Sequence, residues 1–146
     1  MNTFIMYKKI KPKAIEPKYG TEDAVCADLY ACLNDDVTIE PGETKLIPTG
    51  IAIDTPNGLG AFIFARSGLA TKQGLAPANK VGVVDPDYRG EVMVALHNHS
   101  DVARTVAHGD RIAQLGFLPY VVGKFIEMDE LSDTNRGTGG FGSTGK

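Results

Sequence analysis

Short alternating runs of apolar residues, each closed by a turn signal, constrain the fold of this 146-residue chain more than any other feature. Apolar and polar residues alternate with period two, which places the apolar side chains on one face of a β-strand. Turn signals separate the runs about every ten residues, as is typical of a β-sandwich or β-barrel. Five runs are predicted to form strands: Val25–Ala31, Thr44–Ile53, Leu59–Ala65, Glu91–His99 and Ile112–Val121.

Helical periodicity is weak throughout the sequence. No segment keeps a 3.6-residue apolar period over ten residues, and Ser67–Gln73 has room for one or two helical turns at most. We therefore predict an all-β domain over residues 1–131. We predict a separate, flexible tail over residues 132–146, because this glycine-rich segment has only one large apolar side chain, Phe141, and cannot form a core by itself.

Charge and hydropathy argue against several classes of partner. The net charge of −3 is unfavourable for a large nucleic-acid surface, and no apolar run reaches the roughly 18 residues that span a membrane. Cys26 and Cys32 would lie about 20 Å apart on an extended strand, which is too far for a disulfide. We therefore expect a cytoplasmic protein with reduced thiols that binds neither nucleic acid nor membrane.

The tail contains groups that bind anions, and two patterns that resemble nucleotide-binding motifs. Gly137–Gly142 fits G-x-G-x-x-G, but a Rossmann fingerprint needs a helix after it and only four residues follow. Gly140–Lys146 fits the start of a P-loop, but the chain ends before the required serine or threonine. Both readings are therefore rejected, although the tail residues retain the chemistry to bind a phosphate in another geometry.

Four further segments combine turns with polar groups that a strand does not need. They are Ala27–Leu29, Arg66–Gly68, Gly82–Gly90 and Gly109–Gln114. Each has a structural explanation when it is taken alone: Asp85–Asp87 is a common turn, Asp110 and Arg111 could form a surface ion pair, and Tyr88 could be a core residue. Together they supply carboxylates for a metal ion or a water, basic and hydroxyl groups for phosphates, and an aromatic ring for a nucleoside.

In their order and spacing, these segments and the tail resemble the five motifs of the homotrimeric dUTPases. The motifs correspond to Ala27–Ala31, Arg66–Ala70, Gly82–Glu91, Gly109–Leu115 and Arg136–Gly145. The resemblance implies a distorted β jelly-roll and a homotrimer with shared active sites. It also implies Mg²⁺-dependent hydrolysis of dUTP to dUMP and pyrophosphate, which would limit uracil in DNA and supply dUMP for thymidylate synthesis.

The resemblance also implies a role for each motif residue. Asp85 would be the general base that activates the attacking water, and Tyr88 would pack under the deoxyribose. Asn79 and the hairpin backbone at Gly82 and Val84 would pair with the uracil edge.

The phosphates would be bound by two groups of residues, one in the domain and one in the tail. The domain residues are Arg66, Ser67, Gly68 and Gln114, and the tail residues are Arg136, Gly142, Ser143 and Thr144. Phe141 would stack on the uracil, and Asp28 would hold Mg²⁺ through water.

Two departures and two alternatives accompany this interpretation. Cys26 and Ala65 stand where the family usually has Gly and Pro. A dCTP deaminase has a related fold but needs an acid–base residue beside the nucleobase, and a non-catalytic nucleotide-binding module would not need Asp85.

His97 and His99 alternate on one strand face and could form half of a metal site, although a structural role is favoured.

Overall fold

The computed structural model describes residues 3–142, which are almost entirely β-structure. A single short helix, α1 (Ser67–Gln73), occurs in this range, as the sequence predicts. The twelve strands in the same range are β1 (Met6–Lys9), β2 (Lys18–Tyr19), β3 (Ala27–Tyr30), β4 (Val37–Ile39), β5 (Thr44–Pro48), β6 (Ile51–Asp54), β7 (Leu59–Phe64), β8 (Leu75–Pro77), β9 (Gly82–Val84), β10 (Met93–Asn98), β11 (Arg104–Val106) and β12 (Arg111–Pro119).

The strands form antiparallel sheets whose apolar faces share one core. The largest sheet has the order β2-β3-β12-β7-β9, and a second has the order β5-β10-β8. Strands β1 and β6 form one two-stranded ribbon, and β4 and β11 form another. The largest buried side chains of the core include Leu29, Ile39, Ile47, Leu96 and Leu115. The predicted all-β fold is therefore confirmed, and its packed antiparallel sheets fit a distorted jelly-roll.

The prediction of one continuous strand over Thr44–Ile53 is wrong, because the chain breaks there into β5 and β6. Gly50 has a φ of +73°, a conformation outside the β region that ends the pairing of β5 with β10. Its backbone N–H donates to Oε1 of Glu91 at 2.7 Å, and β6 then pairs with β1. Ile47 and Ile51 on either side of the break are both buried, so apolar alternation continues across it and conceals it.

The central sheet fixes the positions of the motif residues. In the register of β12, Gln114 lies opposite Asp28 of β3 on one side and opposite Phe64 of β7 on the other. Val84 of β9 lies opposite Ala61 of β7, so Asp85 follows at the start of β7 rather than at its end. The motifs are thus divided between the two ends of β7.

Beyond Pro119 the described chain has no strand or helix. We call residues 121–131 the apolar arm, because its large apolar side chains are exposed: Val121, Val122, Phe125, Ile126, Met128 and Leu131. The division into a domain over 1–131 and a tail over 132–146 stays a prediction. What the single chain shows is that regular strand pairing ends twelve residues before that boundary.

The cysteines form no disulfide with each other, and the described helix is short. Cys26 and Cys32 are both free, as predicted, and partial burial raises the pKa of the Cys26 thiol above its ordinary value. Within residues 3–142, no helix has the length and apolar character needed to cross a membrane.

Replacing Gly50 by alanine should destabilise the fold more than the same change at Gly42, although both have nearly the same φ (+73° and +74°). A Cβ on Gly50 would lie 2.8 Å from both Ala14 Cβ and Cys32 Sγ, whereas a Cβ on Gly42 would meet no atom within 4 Å. Gly42→Ala should lower the free energy of unfolding by about 1 kcal/mol through backbone strain. Gly50→Ala should cost about 1–3 kcal/mol more through overpacking. Urea denaturation at one protein concentration measures both; equal losses would contradict this assignment.

Candidate active site

An ion-pair cluster lies at the end of β7, where three elements meet. The Nε of Arg66 donates to Oδ1 of Asp28 at 2.7 Å, and Nη1 of Arg111 donates to Oδ2 at 3.3 Å. The Asp28 side chain is only 16% exposed, so both of its oxygens are held in a fixed position by the two guanidinium groups. One carboxylate thus orients two arginines at the mouth of a cleft.

The cleft has a volume of about 520 Å³ and carries an excess of positive charge. Three cations, Arg66, Lys72 and Arg111, face a single carboxylate, Asp28. Such a balance attracts an anion, and arginine suits phosphate because its planar N–H groups match the phosphate oxygens. The lining residues are Asp28, Arg66, Ser67, Gly68, Leu69, Lys72, Gln73, Arg111 and Gln114.

Local structure places each polar group of this cleft. Arg66 is the extended residue immediately before α1, so Ser67 and Gly68 form the first turn of that helix beside the cleft. The side-chain amide of Gln114 donates to the carbonyl of Ala65 at 2.8 Å. An amide NH₂ has two donors, so the second N–H remains for a ligand oxygen. The sequence-predicted residues Asp28, Arg66, Ser67, Gly68 and Gln114 are therefore brought together in one place.

Asp85 lies on an exposed turn in a different cavity. The backbone N–H of Tyr88 donates to the carbonyl of Asp85 at 3.1 Å, which closes the turn that the sequence predicts. Arg89 stabilises this turn, because Nη1 donates to the carbonyls of Pro86 and Tyr88 while Nη2 pairs with Asp54 at 2.6 Å. The cavity, of about 510 Å³, is lined by Asn57, Asp85, Pro86, Asp87, Arg89 and Tyr120.

Tyr88 in this turn and Asn79 before β9 are exposed rather than buried in the core. Tyr88 is 47% exposed, so the alternative that it is a core residue is wrong. Gly82 and Val84 are buried in β9, while Asn79 lies in the β8–β9 turn with Nδ2 packed close to Gly82. The turn contains Lys80 in a left-handed conformation, with a φ of +66°.

The structure does not bring Asp85 to the cationic cleft of its own chain. Asp85 follows the strand that pairs with the start of β7, and Arg66 follows the end of β7. Arg66 lies six positions after Gly60, which corresponds to about 20 Å of extended chain. The two groups of motif residues therefore line separate cavities in the single chain.

The described part of the tail also lies away from both cavities. Arg136 donates from Nε to the carbonyl of Gly139 at 2.8 Å, within a pair of consecutive turns. Phe141 is fully exposed and, like Gly142, has a positive φ. Ser143 and Thr144, which the sequence also assigns to phosphate binding, lie outside the described residues.

Metal-binding groups of protein origin are sparse. Over residues 3–142, no three His, Cys, Asp or Glu side chains come close enough to hold a metal ion. The rings of His97 and His99 lie 4.3 Å apart, and Nδ1 of His97 shares a hydrogen bond with Thr44. Desolvation, together with the nearby His97 and Lys80, lowers the pKa of His99. The structure thus adds no third metal ligand to this histidine pair in the described chain.

Sequence reasoning missed the role of Arg111 in the cationic cleft. The alternative in which Asp110 and Arg111 form a surface ion pair is wrong: Arg111 contacts Asp28, while Asp110 accepts from the backbone N–H of Ala107. A register shift between Arg111 and Ala113 changes the pairing of β12 with β3. This irregularity has no signature in the sequence, so the Arg111–Asp28 contact could not be foreseen.

Comparison with known proteins gives consistent matches over most of the chain. The sequence model of a family described as dUTPase matches residues 12–145. The deoxyuridine 5'-triphosphate nucleotidohydrolase of Desulfitobacterium hafniense is 56% identical over 130 residues, which cover 88% of this chain and 86% of that protein. The enzyme of the same name from Hahella chejuensis is 45% identical over 142 residues, with 97% and 93% covered.

A solved structure has the same fold despite low sequence identity. It is a G164S mutant of the Staphylococcus bacteriophage 80alpha dUTPase, described with dUpNHpp. The two chains superpose with a TM-score of 0.90 at 22% identity, covering 99% of this chain and all of the other. At this identity the likeness supports the all-β fold alone.

Arg66→Ala should weaken the binding of inorganic pyrophosphate to the cleft, because it removes charged donors from the lining. A charge-assisted hydrogen bond is worth about 1.5–3 kcal/mol, which corresponds to roughly ten- to a hundredfold in affinity. Arg104→Ala is the matched control, since it removes the same charge from a residue that pairs with Ser100 and lies outside the cleft lining. Calorimetric titration of each variant tests this. Equal weakening by both would mean that net charge, and not the cleft, binds the anion.

Proposed function

The chain belongs to the dUTPase family, and we propose that it hydrolyses dUTP to dUMP and pyrophosphate by attack of a water on the α-phosphate. The observation that carries the proposal is the cationic cleft at Asp28, in which motif residues from β3, β12 and the start of α1 converge. The curated relatives at 45–56% identity are named as hydrolases of the same nucleotide. No observation favours the deaminase alternative.

In this proposal the cleft binds the triphosphate. Arg66, Ser67, Gly68 and Gln114 line the cleft, and the second N–H of Gln114 is proposed to donate to a phosphate oxygen. A triphosphate carries nearly four negative charges near neutral pH, which repel an attacking water or hydroxide. The guanidinium of Arg66 reduces this repulsion. Arg111, to which the sequence gave no phosphate role, is expected to reduce it further.

Mg²⁺ fits the site only through water. Both oxygens of Asp28 already accept from arginines, yet a carboxylate has about four acceptor positions, so metal-bound waters can still be accepted. A small, strongly hydrated ion that keeps most of its waters and binds phosphates suits this donor set. When bound, Mg²⁺ supplies charge neutralisation to the phosphates. Asp28 is therefore proposed to hold the ion indirectly and to orient Arg66 and Arg111.

Asp85 is proposed as the general base. Its turn is held by the Tyr88 N–H and by the Arg89 side chain. The backbone that carries the carboxylate is therefore fixed, while the carboxylate itself is exposed to water. A positioned aspartate can accept the proton of the attacking water, and no covalent intermediate with the protein is required. The proton moves from water to the Asp85 carboxylate as the oxygen attacks the α-phosphorus, and pyrophosphate leaves.

The nucleoside is proposed to bind at the segment that runs from the β8–β9 turn through β9 to the Asp85 turn. Asn79 and the backbone at Gly82 and Val84 pair with the uracil edge, and their close approach to it excludes a 5-methyl group. Tyr88 packs beneath the deoxyribose and leaves no room for a 2′-hydroxyl. Its exposed ring is available for that contact.

We further propose that each active site is built from more than one subunit of a homotrimer. The support is the separation of about 20 Å along β7 between the Asp85 turn and the cationic cleft, which one triphosphate cannot bridge. Closed three-fold assembly would bring the cleft of one copy to the Asp85 turn of another. The exposed apolar arm provides surface for such an assembly.

The tail completes the site in this proposal. Phe141 stacks on the uracil, while Arg136, Gly142, Ser143 and Thr144 bind the γ-phosphate. Phe141 is exposed and the Arg136 side chain donates to a carbonyl of the tail itself, which leaves both accessible to a nucleotide. The activity would limit uracil in DNA and supply dUMP for thymidylate synthesis, and the two free cysteines suit a reducing, cytoplasmic environment.

Asp85→Asn should lower kcat for dUTP at least about a hundredfold, because it removes the proton acceptor and keeps the shape of the side chain. KM should stay within a few-fold, since Asp85 is not assigned to binding. Release of pyrophosphate from dUTP measures both constants. Asp101→Asn is the control, because it makes the same change on another exposed turn. Turnover near the unsubstituted rate would remove Asp85 from the role of base.

Mixing two inactive variants should restore activity if sites are shared. Arg66→Ala damages the cleft and Asp85→Asn damages the turn, so each variant alone should have little activity. When equal amounts are unfolded and refolded together, about a quarter of the sites should combine an intact cleft with an intact turn. Pyrophosphate release by the mixture, compared with that of the separately refolded parents, gives this fraction.

A second mixture provides the control for the first. The unsubstituted chain is refolded with a chain that carries both Arg66→Ala and Asp85→Asn. Shared sites again leave about a quarter active, whereas sites confined to one chain would leave about half. A first mixture without activity and a second at half activity would show that each chain has its own site.

A further inference from the structure

Gly90 has no side chain, and the ring of Tyr88 occupies the space where a side chain at this position would lie. A Cβ built on Gly90 would lie 2.5 Å from Cζ and 2.9 Å from Cε2 of Tyr88, and it would also clash with the phenol oxygen. The ring of Tyr88 therefore lies directly against the backbone at Gly90. No side chain larger than hydrogen fits at position 90 while the ring remains where it is.

Backbone conformation does not explain this glycine. The φ of Gly90 lies outside the left-handed region that favours glycine, so an alanine can adopt the same backbone. The contact of its α-carbon with the Tyr88 ring is thus the physical constraint at this position. This distinguishes Gly90 from Gly42 and Gly50, whose positive φ values require glycine for the backbone itself.

The tip of the ring is anchored on the next residue. The hydroxyl of Tyr88 donates to the carbonyl of Glu91 at 3.0 Å. Glu91 is itself held, because its Oε1 accepts from the backbone N–H of Gly50 at 2.7 Å and from Lys11 Nζ at 3.0 Å. The ring is therefore fixed at its tip by Glu91 and supported along its edge by Gly90.

We propose that Gly90 is a positioning residue that sets the discrimination between deoxyribose and ribose nucleotides through the Tyr88 ring. The inference rests on the proposed function, in which that ring packs beneath the sugar. A methyl group at position 90 displaces the ring, because a half-exposed side-chain tip yields more readily than the backbone. The displaced ring loses the Glu91 carbonyl and no longer occupies the space where a 2′-hydroxyl would project.

The test compares Gly90→Ala with Gly20→Ala, a matched change at an exposed glycine whose Cβ would meet no atom within 4 Å. The ratio of kcat/KM for dUTP to that for UTP is measured for each variant. We expect the ratio to fall about tenfold in Gly90→Ala and to stay within twofold in Gly20→Ala. The midpoint of thermal unfolding should be similar in both. A preserved ratio in Gly90→Ala, or a chain that no longer folds, would overturn the proposal.

A double substitution separates an effect through Tyr88 from general damage to the turn. If Gly90 acts only by placing the ring, Gly90→Ala should have no further effect on the ratio once Tyr88→Ala has removed the ring. The double variant should then match Tyr88→Ala within about twofold. An additional loss in the double variant would show that Gly90 acts by another route.

The same measurements identify which proposal has failed. An unsubstituted protein that uses dUTP and UTP equally would contradict the proposed function itself. An unsubstituted protein that prefers dUTP, together with a Gly90→Ala variant that prefers it equally, would contradict only the role of Gly90.

Discussion

The pairing of β7 with β12 is the constraint on which both halves of the candidate site depend. It places Gln114 beside Phe64, two residues before Arg66, and the next pairing places Asp28 beside Gln114. At the other end of the same pair, Pro119 lies opposite Leu59, near the turn that carries Asp85. A one-residue slip would turn each of these side chains to the other face of the sheet. The register therefore determines the geometry of two clefts at once.

Hydrogen bonds to the backbone hold the functional side chains where strand pairing ends. Arg89 fixes the Asp85 turn by donating to two carbonyls of that turn while it pairs with Asp54. At the cleft, Gln114 satisfies the carbonyl of Ala65, immediately before Arg66. Exposed ion pairs of this kind contribute little to stability, so their importance lies in orientation. Both clefts are thus organised before any ligand arrives, which reduces the entropy that binding must overcome.

The sequence predicted the fold class and the approximate strands because burial of one sheet face imposes period two. It failed at Gly50, where the apolar alternation passes unchanged through a break in pairing. Of the site, the residues that share the cleft at Asp28 were predicted from motif order. The contact of Arg111 with Asp28 was not, because it depends on a local irregularity between β12 and β3. The long-range strand register and the sharing of the Asp28 carboxylate by Arg66 and Arg111 are properties of the folded chain. No local sequence pattern encodes them.

The apolar arm has a consequence for the life of a newly made chain. Val121, Phe125 and Leu131 have no covering partner in the described chain, although each would gain free energy by leaving water. A lone subunit therefore displays the kind of extended, unpaired segment at which proteolytic nicking is concentrated. In the proposed trimer, mutual burial of such segments would favour the folded form by mass action when copies are abundant. For such a trimer, dilution alone would be a route to degradation, and the cellular level of the protein would become a determinant of its own survival.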